Sequence, residues 1–270
     1  MASGYRVLVT CDLGPEALER FSRHQGFSVV VQDIRDSRVL TAAVAGYHAL
    51  VVRSNVRVTA EALAAGTELR VVGRAGIGVD NIDLGAATHL GIAVVNAPGG
   101  NVVTTAEHAL ALLLSLARKI PQASAAMREG RWEKSKFLGR ELKGKTLGII
   151  GVGRVGSAVA ERAVGLRMRV LGYDPYLPPE RAARLGVEPA GLERLLAEAD
   201  FLTVHTGLTP ETRGLLGRDA LSRVKPGVLL VNCARGGIVD EAALAEALAS
   251  GRVGGAALDV FEVEPPPRGA

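Results

Sequence analysis

"GKTLGIIGVGRVGSAVAERA", residues Gly144 to Ala163, passes from an apolar strand pattern into a helical one through three glycines. Gly151, Gly153 and Gly156 make GxGxxG directly after the strand and at the start of the helix. In that setting the first glycine permits a tight turn, the second lets backbone approach a pyrophosphate, and the third lets helix and strand pack closely. The next strand pattern, "MRVLGYD", ends on Asp174, about twenty residues on, where a ribose-binding carboxylate belongs. Both ribose hydroxyls can donate to Asp174, whereas a 2′-phosphate would meet like-charge repulsion, and Pro175 rather than an arginine follows. The stretch predicts a dinucleotide site that takes NAD in preference to NADP. Arg154, between the second and third glycines, is either a lid over the phosphates or an exposed helix-start arginine.

Outward from this unit, short apolar runs alternate with helical patterns in both directions. "RVLVT", "FSVVV", "ALVVR", "LRVVGR" and "IAVVN" precede it, and "FLTVH", "VLLVN" and "GAALDV" follow. Runs apolar on both faces are what a parallel sheet covered by helices requires. The fold class is therefore α/β, with two doubly wound parallel-sheet lobes. The first spans residues 1–98, to the break at "NAPGG", and the second spans residues 99–270, with Asn101 or Thr104 available to cap its long first helix.

Composition narrows the classes of function. The 270 residues are 48% hydrophobic and 22% charged, enough to bury two cores. Net charge is +4, and the dense basic stretch Arg128–Lys145 interleaves its cations with glutamates, as a solvated connecting segment does. Its lone aromatic, Trp132, offers no stacking platform, so nucleic acid is not an expected partner. Two cysteines, with no CxxC or Cys/His cluster, point to neither a disulfide framework nor a metal. No signal peptide pattern opens the chain, and the most apolar helix, "AEHALALLLSLARKI", is too short to span a bilayer, so a cytoplasmic protein with no membrane partner is expected.

Two further strand ends carry chemistry. "VLLVNCARGGIVDEAALAEAL" places Asn232, Cys233 and Arg235 just past a buried strand, at the edge where doubly wound sheets bind ligands. The planar fork of Arg235 can grip a carboxylate through two hydrogen bonds. Cys233 has no histidine nearby in sequence to activate it and reads as an inert strand-end residue. The last strand brings Asp259 to the same edge, with Glu264 five residues on. One acid there can hold a nicotinamide carboxamide, and the other can orient a histidine and raise its pKa. Of the histidines, His24, His48 and His89 read as solvated, His108 as a packing residue on the apolar helix, and His205 as a structural or cofactor-side contact.

The stretches "VVGRAGIGVDNIDL", "GKTLGIIGVGRVG", "GYDPY", "VHTGLTPETRGLL", "NCARGGIVDEAAL" and "GAALDVFEVEPP", in this order, resemble the D-2-hydroxyacid dehydrogenases, above all the branch acting on 3-phospho-D-glycerate. The resemblance implies a Rossmann NAD-binding domain, a flavodoxin-like substrate-binding domain, a small anionic 2-hydroxy acid as substrate, and a homo-oligomer paired through the NAD domain. It implies the first oxidation of serine synthesis, with glyoxylate or hydroxypyruvate reduction, or a non-catalytic NAD-binding interaction module, as alternatives. It makes Arg235 the carboxylate clamp and Glu264 the partner of the acid/base histidine. Cofactor contacts would be Gly151, Gly153, Arg154, Val155, Gly156, Asp174, Thr206, Cys233, Ala234, Asp259 and Ile77. The loops "VRSNV" and "GRAG" would turn Arg53, Ser54, Asn55, Arg74 and Gly76 toward the substrate.

Departures from the pattern accompany the resemblance. Gly207 stands where the family has proline, loosening that turn, and Ile77 stands where some relatives have threonine. In the family a Pro-His segment follows the acidic turn by roughly twenty residues, and no histidine of this chain matches it. The expectation is a dehydrogenase sequence that stops before its acid/base residue and before the helix that returns to the first lobe, with turnover impaired.

Overall fold

In the computed structural model, which describes residues 4–267, the chain divides into two compact lobes, Met1–Asn101 and Val102–Ala270. The division falls three residues beyond the boundary expected from sequence at Pro98. The turn after the last strand of the first lobe folds back on that lobe, with Gly100 N–H donating to the Ala97 carbonyl at 3.1 Å.

The first lobe alternates β1 (Tyr5–Val9), α1 (Pro15–Ser22), β2 (Phe27–Val31), α2 (Ser37–Ala43), β3 (Ala49–Val52), α3 (Ala60–Ala65), β4 (Val71–Arg74), α4 (Leu84–His89) and β5 (Ala93–Asn96). All strand pairs are parallel, in the order β2-β1-β3-β4-β5 of a flavodoxin-like sheet. Leu8, Leu50, Val52 and Val72 pack under α2, α3 and α4, whose N-termini are capped by Asp36, Thr59 and Asp83. The opposite face carries a smaller cluster, Val7, Val9 and Cys11 with Phe21 of α1, and Val95 on β5 stays exposed.

The second lobe begins with α5 (Val102–Arg118) and α6 (Ile120–Arg128). It continues through β6 (Thr146–Ile150), α7 (Arg154–Gly165), β7 (Arg169–Tyr173), α8 (Pro179–Leu185), β8 (Val187–Pro189), α9 (Leu192–Glu198), β9 (Phe201–Val204), α10 (Arg218–Ser222), β10 (Val228–Asn232), α11 (Glu241–Ala249) and β11 (Val253–Leu258). The parallel sheet runs β11-β10-β9-β6-β7-β8, the doubly wound order with its switch point between β6 and β9. Both faces are covered, one core centred on Leu171, Leu202 and Leu230, the other on Leu147, Ile149 and Phe201. Asn101 stands at the N-cap position of α5, and Thr104 lies inside that helix.

Sequence reasoning missed β8. Its three residues end in Pro189, too few to show a period, and proline is tolerated there because β8 is an edge strand. Among the described residues, no helix is long and apolar enough to cross a membrane.

Candidate active site

The β6-to-α7 turn is held by backbone crowding. Gly151 has φ 89°, and a Cβ there would lie 2.8 Å from backbone atoms of His205 and Thr206. A Cβ on Gly156 would lie 2.0 Å from the Gly151 carbonyl oxygen, so α7 can start against the turn only with glycine there. At Gly153 an added Cβ would meet nothing within 4 Å. Open space over that peptide, at the start of a twelve-residue helix whose N-cap makes no side-chain hydrogen bond, is what an anionic diphosphate needs. Arg154 is the exposed first residue of α7, whereas Val155 turns toward the core beneath the sheet.

Asp174 follows β7 and closes the turn. Its Oδ2 accepts from Val152 N–H and its Oδ1 from Tyr176 N–H, both at 2.9 Å. Each carboxylate oxygen retains a lone pair for a ribose hydroxyl. A cleft of about 470 Å³ opens beside it, lined by Gly151, Gly153, Asp174, Tyr176, Thr206 and Thr209 among others. These residues fit the adenosine half of a dinucleotide. Sequence reading did not find Arg181 of α8, whose Nη2 donates to Ser157 Oγ at 2.9 Å and reaches the Gly153 carbonyl at 3.4 Å. Nothing in the local pattern marks it, because the contact joins residues far apart in sequence.

His205 also lines the cleft, and its Nε2 is 2.8 Å from Thr203 Oγ1. It keeps part of its surface accessible, yet desolvation pushes its imidazole down to about 4, the signature of a ring kept neutral. At the ends of β10 and β11, Asn232 Oδ1 accepts from Ala234 N–H and its Nδ2 donates to the Arg235 carbonyl, each at 3.0 Å. Arg235 is half-buried, with Nη1 donating to the Ala234 carbonyl at 2.6 Å. Ala234 itself is buried in the core, with its N–H given to Asn232 and its carbonyl to Arg235. Burial, reinforced by the Asp259 charge, pushes the Cys233 thiol up to about 12, which suits an inert residue. Asp259 N–H donates to the Asn232 carbonyl at 3.0 Å, and Glu264 Oε1 accepts from Phe261 N–H at 3.0 Å.

In the first lobe the predicted substrate residues gather at the carboxyl ends of neighbouring strands. Arg53 and Ser54 are exposed beyond β3 and, with Cys11, Asp12, Asp33 and Asn55, line a cleft of about 520 Å³. It opens where β1 lies between β2 and β3, the switch point of this sheet. Asn55 spends its Nδ2 on the Thr10 and Ile34 carbonyls, both at 3.0 Å, while its buried Oδ1 has no protein partner. The Arg74 guanidinium lies over Gly76, within 1.5 Å of where a Cβ would sit. Ile77 offers its carbonyl to Asn96 Nδ2 at 2.7 Å. Cys11 and Asp12 were missed because they follow an ordinary strand pattern.

Two histidines differ from expectation. His48 is not solvated: its side chain is 22% exposed, Nδ1 accepts from Arg6 N–H at 3.0 Å, and Nε2 lies 3.3 Å from Glu68. His108 is not a packing residue. The buried stripe of α5 is Ala106, Ala109, Leu110, Leu113 and Ala117, which leaves His108 on the rim, 3.4 Å from Asp259 Oδ1. Among the described residues no group of three His, Cys, Asp or Glu is placed to hold a metal.

A nucleotide turn at a Rossmann switch point, with an acid at the next strand end, defines a dinucleotide-dependent α/β protein. The model of the D-isomer specific 2-hydroxyacid dehydrogenase NAD-binding domain matches residues 110–270, and the chain belongs to that family. It is 52% identical to a D-3-phosphoglycerate dehydrogenase of Archaeoglobus fulgidus over 261 residues, 97% of this chain and 49% of that protein. A crystal structure of a Thermus thermophilus protein is 40% identical, with TM-score 0.90, covering 98% of this chain and 85% of that one. The D-lactate dehydrogenase of Aquifex aeolicus, solved with NAD and lactic acid, is 30% identical, with TM-score 0.85, covering 95% of this chain and 77% of that one. The chain spans about half the length of the curated relatives it matches.

Gly156→Ala should destabilise the second lobe by about 1–3 kcal/mol through overpacking, although glycine-to-alanine changes inside helices ordinarily stabilise; urea unfolding gives the sign. For His205 the folded pKa, about 4, lies below the ordinary value of 6.5, so the native state binds fewer protons than the unfolded chain. Its contribution is full above pH 6.5 and is lost as pH falls toward 4, by up to about 3 kcal/mol. Urea midpoints across that window should fall less steeply for His205→Gln than for the natural sequence.

Proposed function

We propose that this protein is an NAD-dependent oxidoreductase acting on the secondary alcohol of a small anionic 2-hydroxy acid, with 3-phospho-D-glycerate as its substrate. When bound, NAD supplies a two-electron hydride acceptor. The chain's own residues bind and orient: Asp174 takes the ribose hydroxyls, the amides at Gly153 and Arg154 take the diphosphate, and Arg235 grips the substrate carboxylate. Glu264 offers the carboxylate against which the family's acid/base histidine, matched by none of the histidines in this sequence, would be held and tuned.

The observation that carries the substrate class is the first lobe's cleft, which places the exposed Arg53 beside Ser54 at the switch point, with Arg74 at the end of the next strand. Guanidinium groups suit a substrate bearing both carboxylate and phosphate. The named relatives at 47–54% identity support the same choice. The family resemblance adds pairing through the NAD domain, which sedimentation would reveal as a dimer or larger assembly.

In the presence of NAD, 3-phosphoglycerate should bind at least about tenfold tighter than glycerate by calorimetry, the worth of one charge-assisted contact. Arg53→Ala should remove most of that difference while leaving NADH affinity in place. Equal affinities for the two acids would exclude the phosphorylated substrate. For the cofactor, Asp174→Ala should weaken NADH by about tenfold or more in a fluorescence titration.

A further inference from the structure

Asp259 stands at the end of β11, an edge strand, with its backbone N–H pinned to the Asn232 carbonyl and its charge felt by Cys233. Sheet order gives this acid its place along a dinucleotide. From β6, Asp174 is one strand away on β7, while Asp259 is three strands away on the other side, across β9 and β10. At about 4.8 Å per strand the second displacement is roughly 14 Å, the side on which the nicotinamide end falls if the adenosine end is at Asp174. A carboxylate there is an acceptor for a carboxamide N–H, but its torsions are unrestrained by the strand.

His108 supplies a restraint. It lies in the first half of α5, whose apolar stripe is buried in the core that also holds Val231 of β10 and Cys233 just beyond that strand. Its Nε2 lies 3.4 Å from Asp259 Oδ1, with side chains 46% and 54% exposed. A pair so exposed adds little to stability; its consequence is for orientation. We propose that His108 is a positioning residue: it occupies one oxygen of Asp259 and thereby presents the other to the carboxamide of a bound nicotinamide. The inference rests on the reading that a dinucleotide lies across this edge.

NADH and ADP-ribose, which lacks the nicotinamide, separate this role from general structural support. Affinities are measured by calorimetry for the natural sequence, His108→Ala, His108→Gln, Asp259→Ala and the double alanine variant. His108→Ala should weaken NADH about fivefold and leave ADP-ribose within about twofold. His108→Gln, whose amide can donate to Asp259, should restore NADH to within about twofold of the natural sequence. On the Asp259→Ala background, His108→Ala should have no further effect. Unchanged NADH affinity in His108→Ala, or a parallel loss of ADP-ribose, overturns the proposal. Failure of the natural sequence to bind either ligand instead overturns the dinucleotide reading beneath it.

Discussion

The crowding of Gly151 is the constraint from which the second lobe's site follows. Its backbone is pressed against His205 and Thr206 on one side and against Gly156 on the other, so β6, β9 and the first turn of α7 converge with no side chain between them. That convergence leaves the Gly153 peptide open and aims the start of α7 along the sheet's carboxyl edge. Asp174 completes the arrangement by accepting the Val152 and Tyr176 N–H groups, so the carboxylate is oriented before any ligand arrives. Preorganisation of this kind lowers the ordering cost of binding.

The two lobes apply one rule with different chemistry. Each sheet gathers its polar residues beyond the carboxyl ends of its strands, where the connection order reverses. In the second lobe the gathered groups are open backbone and acids, suited to a diphosphate and ribose. In the first lobe the exposed Arg53 projects over a cleft whose floor is tied together by Asn55. Asn55 thus acts first as a structural brace, fixing the ends of β1 and β2, and only its buried Oδ1 is left over.

Cys233 and His205 show how burial decides reactivity at such an edge. Both stand directly after central strands, and both are held in their neutral forms by loss of solvation. A neutral thiol there avoids both a like charge near the phosphates and a competing nucleophile, and a neutral imidazole avoids a buried cation without a counter-charge. Asp259 and Glu264, on the exposed side of the same edge, keep the solvent contact that a charged carboxylate requires.

Local pattern determined most of the fold. Ten strands, their parallel sense, the glycine turn and the strand-end positions of Asp174, Arg235 and Asp259 were all legible, because each depends on periodicity or on residues within a single βαβ unit. Tertiary structure decided what depends on long-range approach. The three-residue β8 exists only because β7 offers it an edge. Arg181 reaches the nucleotide turn from a separate helix. His48 owes its burial and its partners to the Arg6 backbone and Glu68. His108 has an apolar helical neighbourhood in sequence, yet the phase of the buried stripe turns it to the rim, where the last strand delivers Asp259. A side chain's period says which elements form; only the packed distances between elements say which polar atoms meet.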